Sequence, residues 1–229
     1  MEKNEMMGER KVNSRHVVRL FFSTLLLGGL SGGVVGFAAR WDSFKPLFSS
    51  MAYGEIIMTF FWLIGVGLIF SVISQMGFFA YLTLHRFGLG FFRSLWNPVQ
   101  IVLILFVLFD LVYFRFITFG KNESVFSYLL VAGILVLVGL MVAFMKVKAT
   151  NKQALVPTLF FMTVVTVIEW IPVLRVNDEA WLYFMLIPLL LCNAYQVLIL
   201  HKINAKSAEE LKNKKLQKQP KVKNKLENA

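Results

Sequence analysis

Six apolar runs, at residues 17–39, 56–84, 98–114, 125–144, 155–173 and 181–200, constrain this chain more than any other feature of its sequence. A hydrocarbon layer of about 30 Å is crossed by about 20 apolar residues of helix. Irregular backbone facing lipid has nothing to satisfy its polar groups. Membrane strands alternate in polarity, whereas these runs are apolar on every face. The third run is the shortest, and it reaches full length if Arg115 snorkels outward so that Phe116, Ile117 and Phe119 continue it. The expected fold is all-α: a polytopic integral membrane protein, a bundle of about six transmembrane helices. Composition agrees, because 57% apolar and only 16% charged residues leave too little polar surface to clothe a soluble globule.

The formal net charge of +11 does not point to nucleic acid, because the basic residues lie between apolar runs instead of on one folded polar surface. Their placement sets orientation. Nineteen of the 24 Lys and Arg fall in the N-terminal tail, residues 84–98, residues 146–152 and the C-terminal tail; only Arg40, Lys45, Arg115, Lys121 and Arg175 lie in the other connections. The bias places the first set, and both termini, in the cytoplasm of a cell with a cytoplasmic membrane. The N-terminal cations followed by residues 20–39 have the order of a signal peptide, but the apolar part exceeds the about 7–15 residues of a cleavable one, so it is read as an uncleaved first span. Residues 1–200 form the transmembrane domain. Residues 201–229, with nine Lys, three Glu and few large apolar side chains, are expected to be a disordered cytoplasmic tail. Its lysines serve as a topology determinant, or they also hold anionic lipid at about 1 kcal/mol each.

Gly28, Gly32 and Gly36 recur every four residues and share one face of the first helix, where a neighbouring backbone can approach closely. That seam is either internal to the bundle or a dock for another membrane protein. Gly29, Ser31 and Gly32 match a short string of intramembrane serine proteases, but His16, His85 and His201 lie at helix ends, out of reach as a base. No histidines, cysteines or carboxylates stand at metal-ligand spacing, and no glycine loop has a phosphate-binding ending, so neither a metal nor a cofactor is expected. The single cysteine, Cys192, sits in an apolar run and reads as a small buried hydrophobe.

Asp110 and Glu169 fall inside apolar runs, where a charge is expensive unless paired or hydrated. At similar depths they admit ion pairing, a shared proton or a held cation. Ser71, Ser74 and Gln75 share a face of the second helix, and Asn193 and Gln196 one of the last, as groups that bond across helices. Residues 87–97 combine Phe87, Phe91, Phe92 and Trp96 with Arg86 and Arg93 close by, and are expected to lie in the inner interface, as an anchor or against a partner.

Four stretches are similar to a known family: RLFFSTLLLGG from Arg19, FWLIGVGLIFSVISQMGFFAYLTLHRFGLG from Phe61, SLWNPVQ from Ser94 and FVLFDLVYFR ending at Arg115. They resemble the KinB-signalling pathway activation, or KbaA-like, family of spore-forming Gram-positive bacteria. The resemblance is most specific over residues 61–115 and implies a membrane protein that activates a sensor histidine kinase feeding the sporulation phosphorelay. It carries over no active-site residue. The expected function is therefore a non-enzymatic accessory protein of membrane signalling. The rival from another class is a small-solute or ion transporter using Asp110 and Glu169.

Overall fold

The computed structural model describes residues 14–120, 124–176 and 178–227, and the regular structure among them is helical. Lys3, Arg10, Lys11 and Lys121, which enter the charge asymmetry, lie outside the described residues. The elements are α1 (Ser14–Ala39), α2 (Trp41–Ser49), α3 (Tyr53–Phe92), α4 (Trp96–Phe119), α5 (Val125–Ala149), α6 (Leu155–Phe160), a π-helical turn (Phe161–Val165), α7 (Thr166–Leu174) and α8 (Glu179–Glu227). Five stretches are long and apolar enough to cross a membrane: Arg15–Ala39, Tyr53–Phe119, Val125–Ala149, Lys152–Leu174 and Glu179–Glu210. The second contains both α3 and α4, which counted separately make six.

Three connections differ from expectation. Residues 87–97 are not a loop: α3 continues to Phe92, a single 3-10 turn spans Arg93–Leu95, and α4 begins at Trp96. Pro98 occupies the first turn of α4, where its missing N–H costs nothing. The helix is broken at Arg93 instead, a non-glycine residue at φ 49°. At 40 residues, α3 is about 60 Å long, roughly twice the hydrocarbon thickness. The segment after Ala39 also forms a helix, α2. Phe37 at the end of α1 seats it through edge contacts to Phe44 and Phe48 at 5.3 and 5.5 Å, and the Arg40 guanidinium lies 5.7 Å over the Phe44 ring and 5.3 Å over Trp181. Finally, α8 is drawn through to Glu227, where the tail is expected to be disordered. Its Ala, Glu, Leu, Lys and Gln are strong helix formers, and a helix already nucleated by a span needs only to propagate.

The chain divides into two compact units. One is formed from the chain ends, up to Phe22 and from Ile199; within it His16 Nε2 meets Glu210 Oε1 at 2.9 Å. The other, Ser23–Leu198, holds the bundle. A close seam joins α1 to α3. Leu26, Leu30 and Val34 form the exposed stripe of α1, while Gly28, Gly32 and Gly36 form an inward stripe of the same period. A Cβ on Gly32 would stand 2.5 Å from the Gly67 Cα, and one on Gly28 would collide with Ser71. Gly36 faces Leu63 and Phe184 in the same way. At Gly32 the notch is filled by backbone, so the two helices come closer there than ordinary side chains permit.

The α6, π turn and α7 stretch occupies the middle of the bundle: 61% of its most apolar window is buried, against 33% for α5. It packs against α3, α4 and α5. Phe160, Phe161, Met162 and Trp170 are almost wholly buried there, with Phe161 5.6 Å from the Phe78 ring and the Trp170 indole donating to the Leu182 carbonyl at 3.0 Å.

Candidate functional site: a buried polar network

Polar side chains from three helices, and a backbone carbonyl from a fourth, meet inside the bundle. Asn193 of α8 is the node. Its Nδ2 donates to Glu169 Oε2 at 2.7 Å and to Thr166 Oγ1 at 3.0 Å, both on α7, and its Oδ1 accepts from Ser74 Oγ of α3 at 2.7 Å. Both donor hydrogens and the carbonyl are thereby used. One turn along α8, Gln196 Nε2 donates to Ser74 Oγ at 2.7 Å and to the Cys192 carbonyl at 3.2 Å. A second branch runs along α3: Gln75 Nε2 donates to Ser71 Oγ at 3.3 Å, and Ser71 Oγ donates to the Thr24 carbonyl of α1 at 2.8 Å. Thr24, Ser71, Ser74, Gln75, Thr166, Glu169, Asn193 and Gln196 are all buried, as is Cys192, so these bonds form where water cannot compete and each lost partner is costly.

Local sequence explains the meeting. Ser71, Ser74 and Gln75 lie three and four residues apart on α3, Asn193 and Gln196 three apart on α8, and Thr166 and Glu169 three apart on α7. The glycine seam brings α1 close enough for Ser71 to reach a backbone carbonyl. The π turn sits directly before Thr166; such single-turn π segments are frequent at functional sites.

The network is not fully satisfied. Glu169 Oε1 and Gln75 Oε1 have no hydrogen-bond partner among the described residues. Glu169 Oε1 instead presses toward Gly77 of α3, where any Cβ would overlap the carboxylate. The arrangement can therefore hold four helices together while leaving one carboxyl oxygen without a donor.

A second cluster lies where α3 turns into α4. The Trp96 indole N–H donates to His85 Nδ1 at 2.9 Å, and its ring stacks on Phe92 at 5.8 Å and covers Gly88 so closely that a Cβ there would overlap it. Tyr81 donates to the Pro157 carbonyl at 2.8 Å and packs on Phe160 and Phe161.

These placements sort the sequence candidates. Glu169, Gln75, Asn193 and Gln196 come together. Asp110 does not join them: it lies on the exposed face of α4 while Glu169 is 6% exposed. Gly28, Gly32 and Gly36 face α3 within the chain. Of the aromatic candidates for a partner surface, Phe91 and Phe92 are 84% and 47% exposed, but Trp96 is 3% exposed and corrects that expectation. The reason is Gly88, whose missing side chain leaves a seat for the indole. Lys146, counted among loop cations, turns inward as well, its Nζ donating to the Val197 carbonyl at 2.5 Å. Sequence reasoning missed Thr24, Thr166, Gly67 and Gly77. Gly67 had a signal, since Gly67 and Ser71 repeat the small-residue spacing of α1; Gly77 and Thr166 had none.

Comparison with known proteins bears on the chain as a whole. The sequence profile of a family described as KinB-signalling pathway activation in sporulation matches residues 28–203, which include every residue of the network but Thr24. A KinB-signaling pathway activation protein from Bacillus subtilis (strain 168) is 50% identical over 198 residues, covering 85% of this chain and 100% of its own length. No solved structure matches the chain.

Proposed function

This chain belongs to the KbaA family of KinB-signalling pathway activation in sporulation, and from that premise we propose that it is a non-enzymatic accessory protein of the cytoplasmic membrane. It activates a sensor histidine kinase that feeds the sporulation phosphorelay. The observation that carries this reading is the 50% identity to a relative of that name along that relative's entire length. An accessory protein without chemistry of its own acts by binding one state of the kinase better than the other. A bundle locked by the glycine seam and the polar network suits that role, because a rigid body transmits a preference without spending binding energy on ordering itself.

Complementation tests the reading. Expressed in a Bacillus subtilis strain deleted for the relative, the chain restores KinB-dependent sporulation; no restoration despite normal membrane abundance contradicts it. Orientation is tested separately, with both termini in the cytoplasm. On a Cys192→Ala background, a cysteine at Asn122 is labelled from outside intact cells and one at Asn151 only after permeabilisation; the reverse pattern inverts the topology.

The transporter reading draws less support, since it needs the two intramembrane carboxylates to act together and they lie on an exposed and a buried face. Ion flux through vesicles holding the purified chain alone would revive it.

A further inference from the structure

Asp110 breaks a rule for carboxylates within apolar runs. Intramembrane carboxylates face the bundle interior or a wet cavity, as Glu169 does. Asp110 is exposed, and no hydrogen bond or ion pair reaches it among the described residues. It stands 14 residues, about 21 Å, from Trp96 and nine residues, about 13 Å, from Phe119, close to the middle of the 24-residue helix α4. An aspartate has too short a stem to lift its charge that far to either surface. The side chains around it on the same face are Phe106, Tyr113, Phe114 and Ile117, at 61%, 48%, 52% and 58% exposure. They are four before and three, four and seven residues after Asp110, so the five make one continuous ridge. Exposed apolar side chains are ordinary beside lipid. A carboxylate in their midst is not.

We infer that the Phe106–Asp110–Tyr113–Phe114–Ile117 face of α4 docks a transmembrane helix of another protein that carries an arginine or lysine at mid-depth. Charge complementarity selects this occupant: a cation opposite Asp110 removes the cost of an uncompensated charge in hydrocarbon, and the aromatic ridge supplies dispersion contacts above and below it. A second copy of this chain fits poorly. Two α4 helices related by an axis along the membrane normal bring Asp110 against Asp110, and the nearest cation on α4, Arg115, lies five residues further along. If the proposed function holds, the docked helix belongs to the kinase; the following test needs no kinase, so either idea can fail without the other.

The full chain is placed in phosphatidylcholine vesicles with a fluorescent leucine- and alanine-rich transmembrane peptide bearing one central arginine. The same peptide with a central leucine serves as comparator. A central position reaches the same depth in either insertion direction. Energy transfer should show the arginine peptide binding about tenfold more tightly than the leucine peptide, the scale of polar helix pairing in model peptides. Asp110→Asn should erase the preference, and Asp110→Lys should transfer it to a peptide with a central glutamate, which a merely structural role for Asp110 would not produce. A preference that survives Asp110→Asn overturns the inference, as does equal binding of both peptides to the unaltered chain. So does a dimer of the unaltered chain that dissociates on Asp110→Asn. Should that variant lose its helical content, Asp110→Ala is measured in its place.

Discussion

The interior shared by α3, α7 and α8 and the outer face of α4 both belong to apolar helices, yet they are built on opposite rules. Inside, beside buried aromatic rings, small and polar residues make the closest ties: glycines let backbones touch, and Asn193 joins Ser74, Thr166 and Glu169. Outside, large apolar side chains such as Leu105, Phe106 and Ile117 stand free, and one aspartate stands among them. In water, burial follows apolarity. In lipid that driving force vanishes, so shape and hydrogen bonding choose the buried face. The same physics makes Glu169 a tie within the bundle and Asp110 a group that addresses something beyond it.

The largest effect is expected at the seam. Gly32→Leu drives a branched side chain into the Gly67 backbone, which cannot yield as a side chain could, so the cost lies at or above the about 1–3 kcal/mol of ordinary overpacking. Membrane abundance and the unfolding midpoint in detergent should both collapse. Normal abundance with impaired binding of a partner would move the seam to an intermolecular interface. Next is Gly77→Ala, whose new methyl displaces the Glu169 carboxylate. It should destabilise alone and be partly rescued by Glu169→Ala, with a coupling of about 1–3 kcal/mol in a double-mutant cycle; strict additivity would separate the two residues. The smallest effect belongs to the outer face, where Leu105→Ala should change stability by no more than about 0.5 kcal/mol in the same detergent unfolding assay, because its side chain is 64% exposed. A loss as large as at Gly77 would erase the distinction between faces.

The helices long and apolar enough to cross a membrane were legible, because each has its own apolar run, whereas α2 has none and was not. Half of the glycine seam was legible too, as a strict four-residue period in α1. Its other half, Gly67, escaped notice because α3 also carries Gly65 and Gly77, which blur the spacing. The network was readable as two isolated groups, Ser71, Ser74 and Gln75 on one helix and Asn193 and Gln196 on another, but not as one object: joining Asn193 to Glu169 requires the rotation of α7, and the π turn at Phe161–Val165 alters the helical phase by which that rotation would be counted. Trp96 and Lys146 were misplaced for a shared reason. An amphipathic side chain near a helix end can snorkel or turn inward with the same sequence around it, and only the seat at Gly88 and the reach of Lys146 to the Val197 carbonyl decide.

The division of labour between the polar interior and the polar exterior is tested most directly by the unfolding midpoints of Asn193→Ala and Asp110→Ala, measured side by side in one detergent. Asn193→Ala removes the node and leaves Glu169 Oε2 without its donor and the Ser74 hydroxyl without its acceptor, a loss of about 1–3 kcal/mol. The account predicts a midpoint lower by several degrees, on the scale of about 2–4 °C per kcal/mol for a chain of this size, while Asp110→Ala stays at or above the unaltered value. An Asp110→Ala midpoint that falls as far as that of Asn193→Ala would contradict it, because Asp110 would then be bonded within the bundle rather than facing out of it.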